Sequence, residues 1–279
     1  MNVFESIILG IIQGLTEFLP VSSSGHIELG KAILGLKPKD AVLFSAVLHA
    51  ATALSTVVIY WKDILGIIRD LFRFQWNDST KFVAFIVISM IPAGIVGVQF
   101  NDQLEALFSG QVMLVGFMLL ITGGLLMASS RIQAKPGELT FGKAFLVGLS
   151  QAFAMLPGVS RSGSTISTAL MLGIDRAKAA RFSFLMVIPV ILGGTALELK
   201  DYFEAQATPE AVQAVADQAG TTEVGMTALI AGFIAAFVSG LLACTWMIRI
   251  VKNSKLDYFA FYCFAVGLIA IAWSFFNGA

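Results

Sequence analysis

The sequence contains little charge. Asp, Glu, Lys and Arg make up 13% of its 279 residues, while 57% are hydrophobic. A water-soluble fold of this size has too little interior to bury so much apolar surface, so the composition excludes one. The 18 basic residues balance 18 acidic ones, which excludes nucleic-acid binding through bulk positive charge. The solvent of this protein is therefore mostly lipid.

Cysteine and histidine are scarce, with two of each. Cys244 and Cys263 fall inside apolar segments, without a CxxC pattern or a nearby histidine. We predict that both pack in the interior and have no redox or metal role. The N-terminus lacks a basic region and a signal-peptide cleavage site, so we expect the mature protein to begin at Met1.

Long apolar runs are what the sequence has in quantity. About 20 helical residues cross a hydrocarbon layer of roughly 30 Å, and six stretches reach or approach that length. The predicted fold class is an all-α polytopic membrane protein with one membrane domain over residues 1–279. Its transmembrane helices are expected near residues 41–61, 82–100, 112–129, 182–198, 224–248 and 258–276.

Basic residues are concentrated in four connections between these segments, which the positive-inside rule places in the cytoplasm. The stretches 101–111 and 199–223 carry almost no basic residues and are expected outside. Lys31, Lys37 and Lys39 fall on the outer side and depart from the pattern. The cytoplasmic residues are Lys62, Arg69, Arg73 and Lys81; Arg131, Lys135 and Lys143; Arg176, Lys178 and Arg181; and Arg249, Lys252 and Lys255.

An internal repeat appears at an offset of 138 residues, which relates Gln13 to Gln151. The halves, 1–138 and 139–279, each hold three predicted spans, so the second half enters the membrane from the opposite side. We predict an inverted repeat, which places a site near the midplane where broken helices meet. The same offset relates Gly10 to Gly148, Ser22 to Ser160, Ser24 to Ser162, Gly25 to Gly163 and Phe44-Ser45 to Phe182-Ser183.

Each half begins with an apolar segment that polar residues interrupt, at 3–36 and at 141–174. The pieces are too short to cross a bilayer, so we predict two re-entrant helical hairpins. Non-helical backbone at membrane depth is tolerated where it lines a cavity or is buried by protein. The interruptions read QGLTEFLPVSSSGH over 13–26 and LPGVSRSGST over 156–165.

The second interruption has the composition of a phosphate site. Arg161 carries a planar fork that matches phosphate oxygens, and backbone N–H groups at a helix start attract anions. Neighbouring hydroxyls supply further donors, although such loops also occur as structural turns. The hydroxyl residues are Ser160, Ser162, Ser164 and Thr165.

The first interruption offers complementary chemistry. Glu17 can act as a base or hold a divalent cation, Ser23 or Ser24 is a candidate nucleophile, and His26 can shuttle a proton. Gln13 lies four residues before Glu17, on the same helical face. A capping role is the alternative for Glu17, but an ionisable group at membrane depth is costly and indicates function.

The second histidine, His49, lies in the middle of an apolar span. We interpret it as a hydrogen-bonded core residue outside the site.

Three motifs resemble those of the undecaprenyl-diphosphate phosphatases of the bacitracin-resistance type, and the resemblance covers essentially the whole chain. Gln13 to Glu17 matches the motif (Glu/Gln)-x-x-x-Glu. Leu19 to His26 matches Leu-Pro-Val-Ser-Ser-Ser-Gly-His, and Pro157 to Gly163 matches Pro-Gly-x-Ser-Arg-Ser-Gly, continuing to Thr165.

The resemblance implies hydrolysis of undecaprenyl diphosphate to undecaprenyl phosphate and inorganic phosphate, with dependence on Mg²⁺ or Ca²⁺. This reaction recycles the lipid carrier of peptidoglycan synthesis in the bacterial inner membrane and confers bacitracin resistance. By motif position, Glu17, His26 and Arg161 are the expected essential residues, Glu17 also binds the metal, and Ser23 is a nucleophile or ligand. The substrate-binding residues implied are Gln13, Ser24, Ser160, Ser162 and Thr165.

Several alternatives stay open at this point. The attacking group is Ser23, His26 or a water activated by His26, and Gln13 stands where some relatives have a glutamate, which lowers the negative charge available to a metal. A lipid flippase or secondary transporter is the main rival, because inverted repeats with broken helices are typical of transporters. A structural scaffold would leave the charged residues unexplained.

The placement of charge favours a site that faces the periplasm, with the polyprenyl tail among membrane lipids. The sequence does not decide whether the chain forms a homo-oligomer.

Overall fold

A computed structural model describes residues 1–35, 41–107, 111–132, 137–207, 224–252 and 255–277. Helices account for nearly all of these residues, which confirms the predicted all-α class. The described ranges contain no β-strand, only an isolated bridge between Gly137 and Ile174.

Most of the described helices follow one another with short connections. The helices are α1 Val3–Phe18, α2 Ser23–Leu34, α3 Ala41–Ile59, α4 Trp61–Leu71, α5 Asp78–Gln99, α6 Asn101–Leu107, α7 Val112–Ser130, α8 Phe141–Phe153, α9 Arg161–Met171, α10 Arg176–Ala207, α11 Met226–Lys252 and α12 Asp257–Asn277.

Five of the described helices are long and apolar enough to cross a membrane, namely α5, α7, α10, α11 and α12. A sixth span results if α3 is counted together with α4, to which it is joined by a bend of 77°. The protein is thus a multi-pass membrane protein, with helices close to all six predicted spans.

One predicted connection contains a helix, and one predicted boundary was wrong. The connection after residue 61 contains the helix α4, which is too short and too charged to register as a span. The span expected at 182–198 begins at Arg176, so the cationic cluster there forms the first turns of α10 instead of a loop. Lys37, Lys39, Lys135 and the outer stretch beyond residue 207 lie outside the described residues.

The two hairpin segments consist of short helix pairs. The helices α1 and α2 have 16 and 12 residues, and α8 and α9 have 13 and 11. At about 1.5 Å per residue, none of them crosses roughly 30 Å of hydrocarbon. The breaks are narrower than the polar interruptions predicted, because most of the polar residues lie in helical turns.

The break after α1 follows from its sequence. Leu19 has extended φ and ψ angles of −68° and 143°, as expected for a residue before proline. Ser22 adopts a positive φ of 71° and caps α2, since its side chain accepts a hydrogen bond of 3.2 Å from the N–H of Gly25.

The break before α9 ends in the same kind of cap. Ser160 accepts a hydrogen bond of 3.0 Å from the N–H of Gly163. In both caps the serine Oγ also lies 3.3 Å from the Oγ of the serine two residues on. The predicted repeat thus relates serines that form the same capping hydrogen bond, although φ is 71° at Ser22 and −76° at Ser160. The inversion of the halves remains a prediction.

Each hairpin packs against a helix from the other half of the chain. In α1, a Cβ atom at Gly14 would lie 2.0 Å from Ser239 Oγ and 2.4 Å from the carbonyl oxygen of Ala236, both in α11. In α8, a Cβ atom at Gly148 would lie 2.3 Å from the carbonyl oxygen of Ser89 in α5. Neither half therefore completes its packing alone.

We predict that Gly14→Ala destabilises the protein by about 1–3 kcal/mol, because the added methyl group overlaps the α11 backbone. Thermal unfolding in detergent measures the effect. The matched control is Gly124→Ala in α7, where an added Cβ meets nothing within 4 Å. Equal melting temperatures for the two variants would contradict close packing of α1 against α11.

Candidate active site

The two breaks come into direct contact inside the helical bundle. Ser162 Oγ donates a hydrogen bond of 3.1 Å to the carbonyl oxygen of Leu19. A Cβ atom at Gly25 would lie 3.1 Å from Gly158 Cα. Gly158 has a φ of +92°, and a Cβ there would lie 2.6 Å from the carbonyl oxygen of Val115, so glycine is required on both counts.

An ion pair joins the two breaks. Arg161, the first residue of α9, approaches Glu17 near the end of α1 with Nη2 2.7 Å from Oε1. The side chains are only 15% and 7% exposed. Removing two charges from water is costly unless they are paired and hydrogen-bonded, so each depends strongly on the other.

The second carboxylate oxygen of Glu17 also has partners. Oε2 accepts hydrogen bonds from Ser23 Oγ at 2.7 Å and from Gln13 Nε2 at 3.1 Å. An amide at position 13 can donate where an ionised glutamate cannot. Gln13 therefore suits a site that is built on a single carboxylate.

Helix α10 positions the guanidinium of Arg161 through a residue that the sequence analysis missed. Nη1 of Arg161 donates to the carbonyl oxygen of Ser183 at 3.4 Å. The hydroxyls of Ser183 and Thr165 lie 2.7 Å apart, and Thr165 Oγ1 donates to the carbonyl oxygen of Arg161 at 2.9 Å. The 138-residue offset pairs Ser183 with Ser45 and marks the position, but it gives no indication of this contact.

The hydroxyl groups near Arg161 are buried and mostly used within the fold. Ser160 caps α9 and donates its N–H to Thr122 Oγ1 at 3.0 Å. Ser162 and Thr165 are bonded as described above, and Ser164 Oγ has no partner among the described residues. Ser23 and Ser24 of the first break are instead partly exposed.

His26 lies apart from the ion pair. Its Nδ1 is 2.8 Å from the carbonyl oxygen of Ser22, and its Nε2 is 2.8 Å from the hydroxyl of Tyr262, on whose ring it stacks. A carbonyl oxygen only accepts, so Nδ1 carries the proton and, in a neutral ring, Nε2 accepts from Tyr262. Both ring nitrogens are therefore occupied.

His49 is hydrogen-bonded as predicted, with Nδ1 3.3 Å from Ser45 Oγ. Cys244 and Cys263 are buried and free, as predicted.

A metal ion would find few protein ligands here. Among the described residues, no group of three His, Cys, Asp or Glu side chains could hold one. Glu17 is the carboxylate of the site, with the Gln13 amide oxygen and the Ser23 hydroxyl beside it. Mg²⁺ commonly uses one or two carboxylates together with substrate phosphates and water, so this donor set fits a cation that a phosphate ligand helps to hold.

The arrangement favours chemistry on a phosphate. The N-termini of α2 and α9 meet beside a guanidinium, and both features attract anions. A serine hydroxyl that donates to a carboxylate is oriented for proton removal and nucleophilic attack. Fold and site together define a polytopic helical membrane protein with a charged, serine-rich centre between two broken helices.

Comparison with known proteins identifies the family. The family model described as "Bacitracin resistance protein BacA" matches residues 6–269, so the chain belongs to this family.

Curated relatives match over almost their full length. A protein of Christiangramia forsetii named undecaprenyl-diphosphatase is 52% identical over 277 residues, 99% of each chain. One of the same name from Bacteroides fragilis is 50% identical, over 98% of this chain and 99% of its own. A third, from Halothermothrix orenii, is 39% identical over 97% of this chain and 98% of its own.

We predict that Glu17→Gln destabilises the protein by about 3 kcal/mol or more, because it leaves the Arg161 charge buried without a counter-charge. The double variant Glu17→Gln/Arg161→Gln should recover part of the loss. Thermal unfolding in detergent measures both variants.

The control is Lys178→Gln, which breaks the exposed pair between Lys178 and Glu138 and should cost less than about 1 kcal/mol. If Glu17→Gln melts like that control, the buried pair does not support the fold.

Proposed function

We propose that the protein hydrolyses undecaprenyl diphosphate to undecaprenyl phosphate and inorganic phosphate. The observation that carries this proposal is the contact of Ser23 Oγ with Glu17, whose other oxygen pairs with Arg161. The names of the full-length relatives support the same substrate. The reaction recycles the lipid carrier for peptidoglycan synthesis and thereby confers bacitracin resistance.

Arg161 and the N-termini of α2 and α9 bind the diphosphate. The guanidinium offers donors to phosphate oxygens, and the N-terminal turns of the two helices favour an anion. Ser183 and Thr165 hold Arg161 in place through their hydrogen bonds to its guanidinium and its carbonyl oxygen. The polyprenyl chain extends between the helices into lipid, where its apolar length needs no enclosed pocket.

Ser23 is the nucleophile in our proposal. Its Oγ gives its proton to Glu17 as it bonds to the terminal phosphorus, and the bond between that phosphorus and the bridging oxygen breaks. Undecaprenyl phosphate leaves with the bridging oxygen and takes up the proton from Glu17. Water then attacks the phosphoserine. Glu17 accepts a proton from this water and passes it to Ser23 Oγ as the bond between Oγ and phosphorus breaks, which releases inorganic phosphate.

A divalent cation, Mg²⁺ or Ca²⁺, completes the proposed site. Glu17, the amide oxygen of Gln13 and phosphate oxygens would hold it. When bound, it neutralises charge that develops on the phosphate groups.

The proposed location is the bacterial inner membrane, with the site open to the periplasm. The support is the basic residues on the opposite side, which the positive-inside rule places in the cytoplasm.

We predict that Ser23→Ala lowers phosphate release from undecaprenyl diphosphate by at least about a thousand-fold, because the nucleophile is lost. Glu17→Ala and Arg161→Ala should be similarly inactive. The assay uses detergent-purified protein, with EDTA as a further arm that abolishes release until Mg²⁺ or Ca²⁺ is restored. Ser130→Ala in α7 is the matched serine control.

Acid quenching during turnover should trap phosphate on Ser23, detectable by mass spectrometry. Loss of activity in Ser23→Ala without a trapped phosphoserine in the wild type would show that water attacks directly. If the wild type binds the lipid but releases no phosphate, the enzyme proposal fails and the flippase becomes the leading function.

We assign His26 a positioning role, because its ring holds the carbonyl of Ser22 directly before Ser23. We predict that His26→Ala lowers kcat by about 100-fold with little change in KM, since misplacement by about 1 Å has such an effect. Tyr262→Phe leaves the hydrogen bond between His26 and the Ser22 carbonyl in place and should lower kcat far less. Equal losses in the two variants would contradict this role.

A further inference from the structure

Helix α4 presents an apolar stripe that no other part of the described protein covers. The helix has no buried residue. Its residues Trp61, Leu65 and Ile68, with Phe72 at the C-cap, are between 43% and 74% exposed. Their spacing of four, three and four residues places them on one face of the helix.

The basic and the acidic residues of α4 lie on different faces of the helix. At about 100° per residue, Lys62 and Arg69 lie roughly 80–100° from Trp61, directly beside the apolar stripe. Asp63 and Asp70 lie roughly 180–200° from Trp61, on the far side. The cations and the carboxylates are therefore separated onto different faces.

The acidic residues of α4 have hydrogen-bond partners within the protein, whereas its basic residues have no carboxylate partner among the described residues. Asp63 accepts from Arg181 at 2.7 Å, and Asp70 accepts from Ser79 at 2.8 Å. Lys62 contacts the ring of Trp61. In the described part of the chain, neither Lys62 nor Arg69 has a carboxylate partner, so both remain available to an anion outside the protein.

The direction of α4 places these stripes at a membrane surface. It follows the apolar helix α3 after a bend of 77°. With α3 placed across the bilayer, as its sequence predicts, α4 runs nearly along the membrane surface. Tryptophan at such a turn is typical of the interface between hydrocarbon and headgroups. Charge placement in the sequence assigns this end of α3 to the cytoplasm.

We propose that α4 is an interfacial helix that inserts its apolar stripe into the cytoplasmic leaflet and binds anionic phospholipid headgroups through Lys62 and Arg69. An apolar face flanked by cations is the arrangement that anchors helices at anionic lipid surfaces. The carboxylates face away from the bilayer, which avoids their repulsion by the same lipids. This proposal is independent of the proposed reaction.

The test uses full-length protein in which Trp61 is the sole tryptophan, because Trp76, Trp246 and Trp273 are replaced by phenylalanine. Vesicles contain phosphatidylcholine and phosphatidylglycerol, with brominated acyl chains on one lipid or the other. Bromine quenches tryptophan that lies close to it. Comparing the two vesicle types gives the preference of the surroundings of Trp61 for the anionic lipid.

Stronger quenching by brominated phosphatidylglycerol is expected. One cation near an anionic surface corresponds to a preference of about five-fold, and raised salt should reduce it. Lys62→Gln/Arg69→Gln should remove the preference while quenching by brominated phosphatidylcholine persists. That persistence also shows that Trp61 of the variant still lies close to the acyl chains.

The matched control is Arg249→Gln/Lys255→Gln, which removes two basic residues from another predicted cytoplasmic connection and should leave the preference unchanged. Equal quenching by the two lipids in the parent protein overturns the headgroup site. Absence of quenching by either lipid overturns the interfacial position. It indicates that something other than lipid covers the apolar stripe of α4, such as a second copy of the chain.

Discussion

The ion pair between Glu17 and Arg161 is the interaction on which the rest of the structure depends. Both charges are largely buried, and each is tolerable only beside the other. Because the two residues come from different halves of the chain, the pair forms only when the halves are packed together. The site thus comes into existence with the tertiary fold and is absent from either hairpin alone.

The helix breaks determine where these charges can lie. Proline and a capping serine end α1 and begin α2 within four residues, which keeps Glu17 and Ser23 six positions apart in sequence but in hydrogen-bond contact. Gly158 allows the second break to approach the first closely. Helix α10 contacts Arg161 through the carbonyl oxygen of Ser183, and the first turns of α10 contact α4 through the hydrogen bond from Arg181 to Asp63. The contact with α4 and the contact with Arg161 therefore involve the same helix, α10.

Periodicity and composition predicted the parts of the fold that hydropathy controls. The long spans are near their expected positions, because about 20 apolar residues have few other stable arrangements in lipid. Helix α4 was missed, since a short helix with charges on two faces resembles a loop when only span length is considered. The start of α10 was placed too late for a related reason: its basic residues continue the helix beyond the apolar core.

The motifs predicted which residues belong to the site more successfully than they predicted which residues contact one another. Glu17, Arg161 and Ser23 come together, as the chemistry of the two interruptions suggested. The partners of His26 could not be predicted, because Tyr262 lies 236 positions away and no local pattern links the two. The role of Ser183 depends likewise on how α10 packs, which a local sequence pattern does not encode.

The 138-residue offset also shows that the two halves contribute different chemical groups to the site. It relates Glu17 to Met155 and Ser23 to Arg161, so one half supplies the carboxylate and the hydroxyl while the other supplies the cation. Gln13 donates to Glu17, but neither polar atom of its counterpart Gln151 has a partner in the described part of the chain. Gln151 lacks the carboxylate that Gln13 uses, since methionine stands in its place. The carboxylate and the cation thus occupy positions that the repeat does not match, and each break contributes a different charge to the shared site.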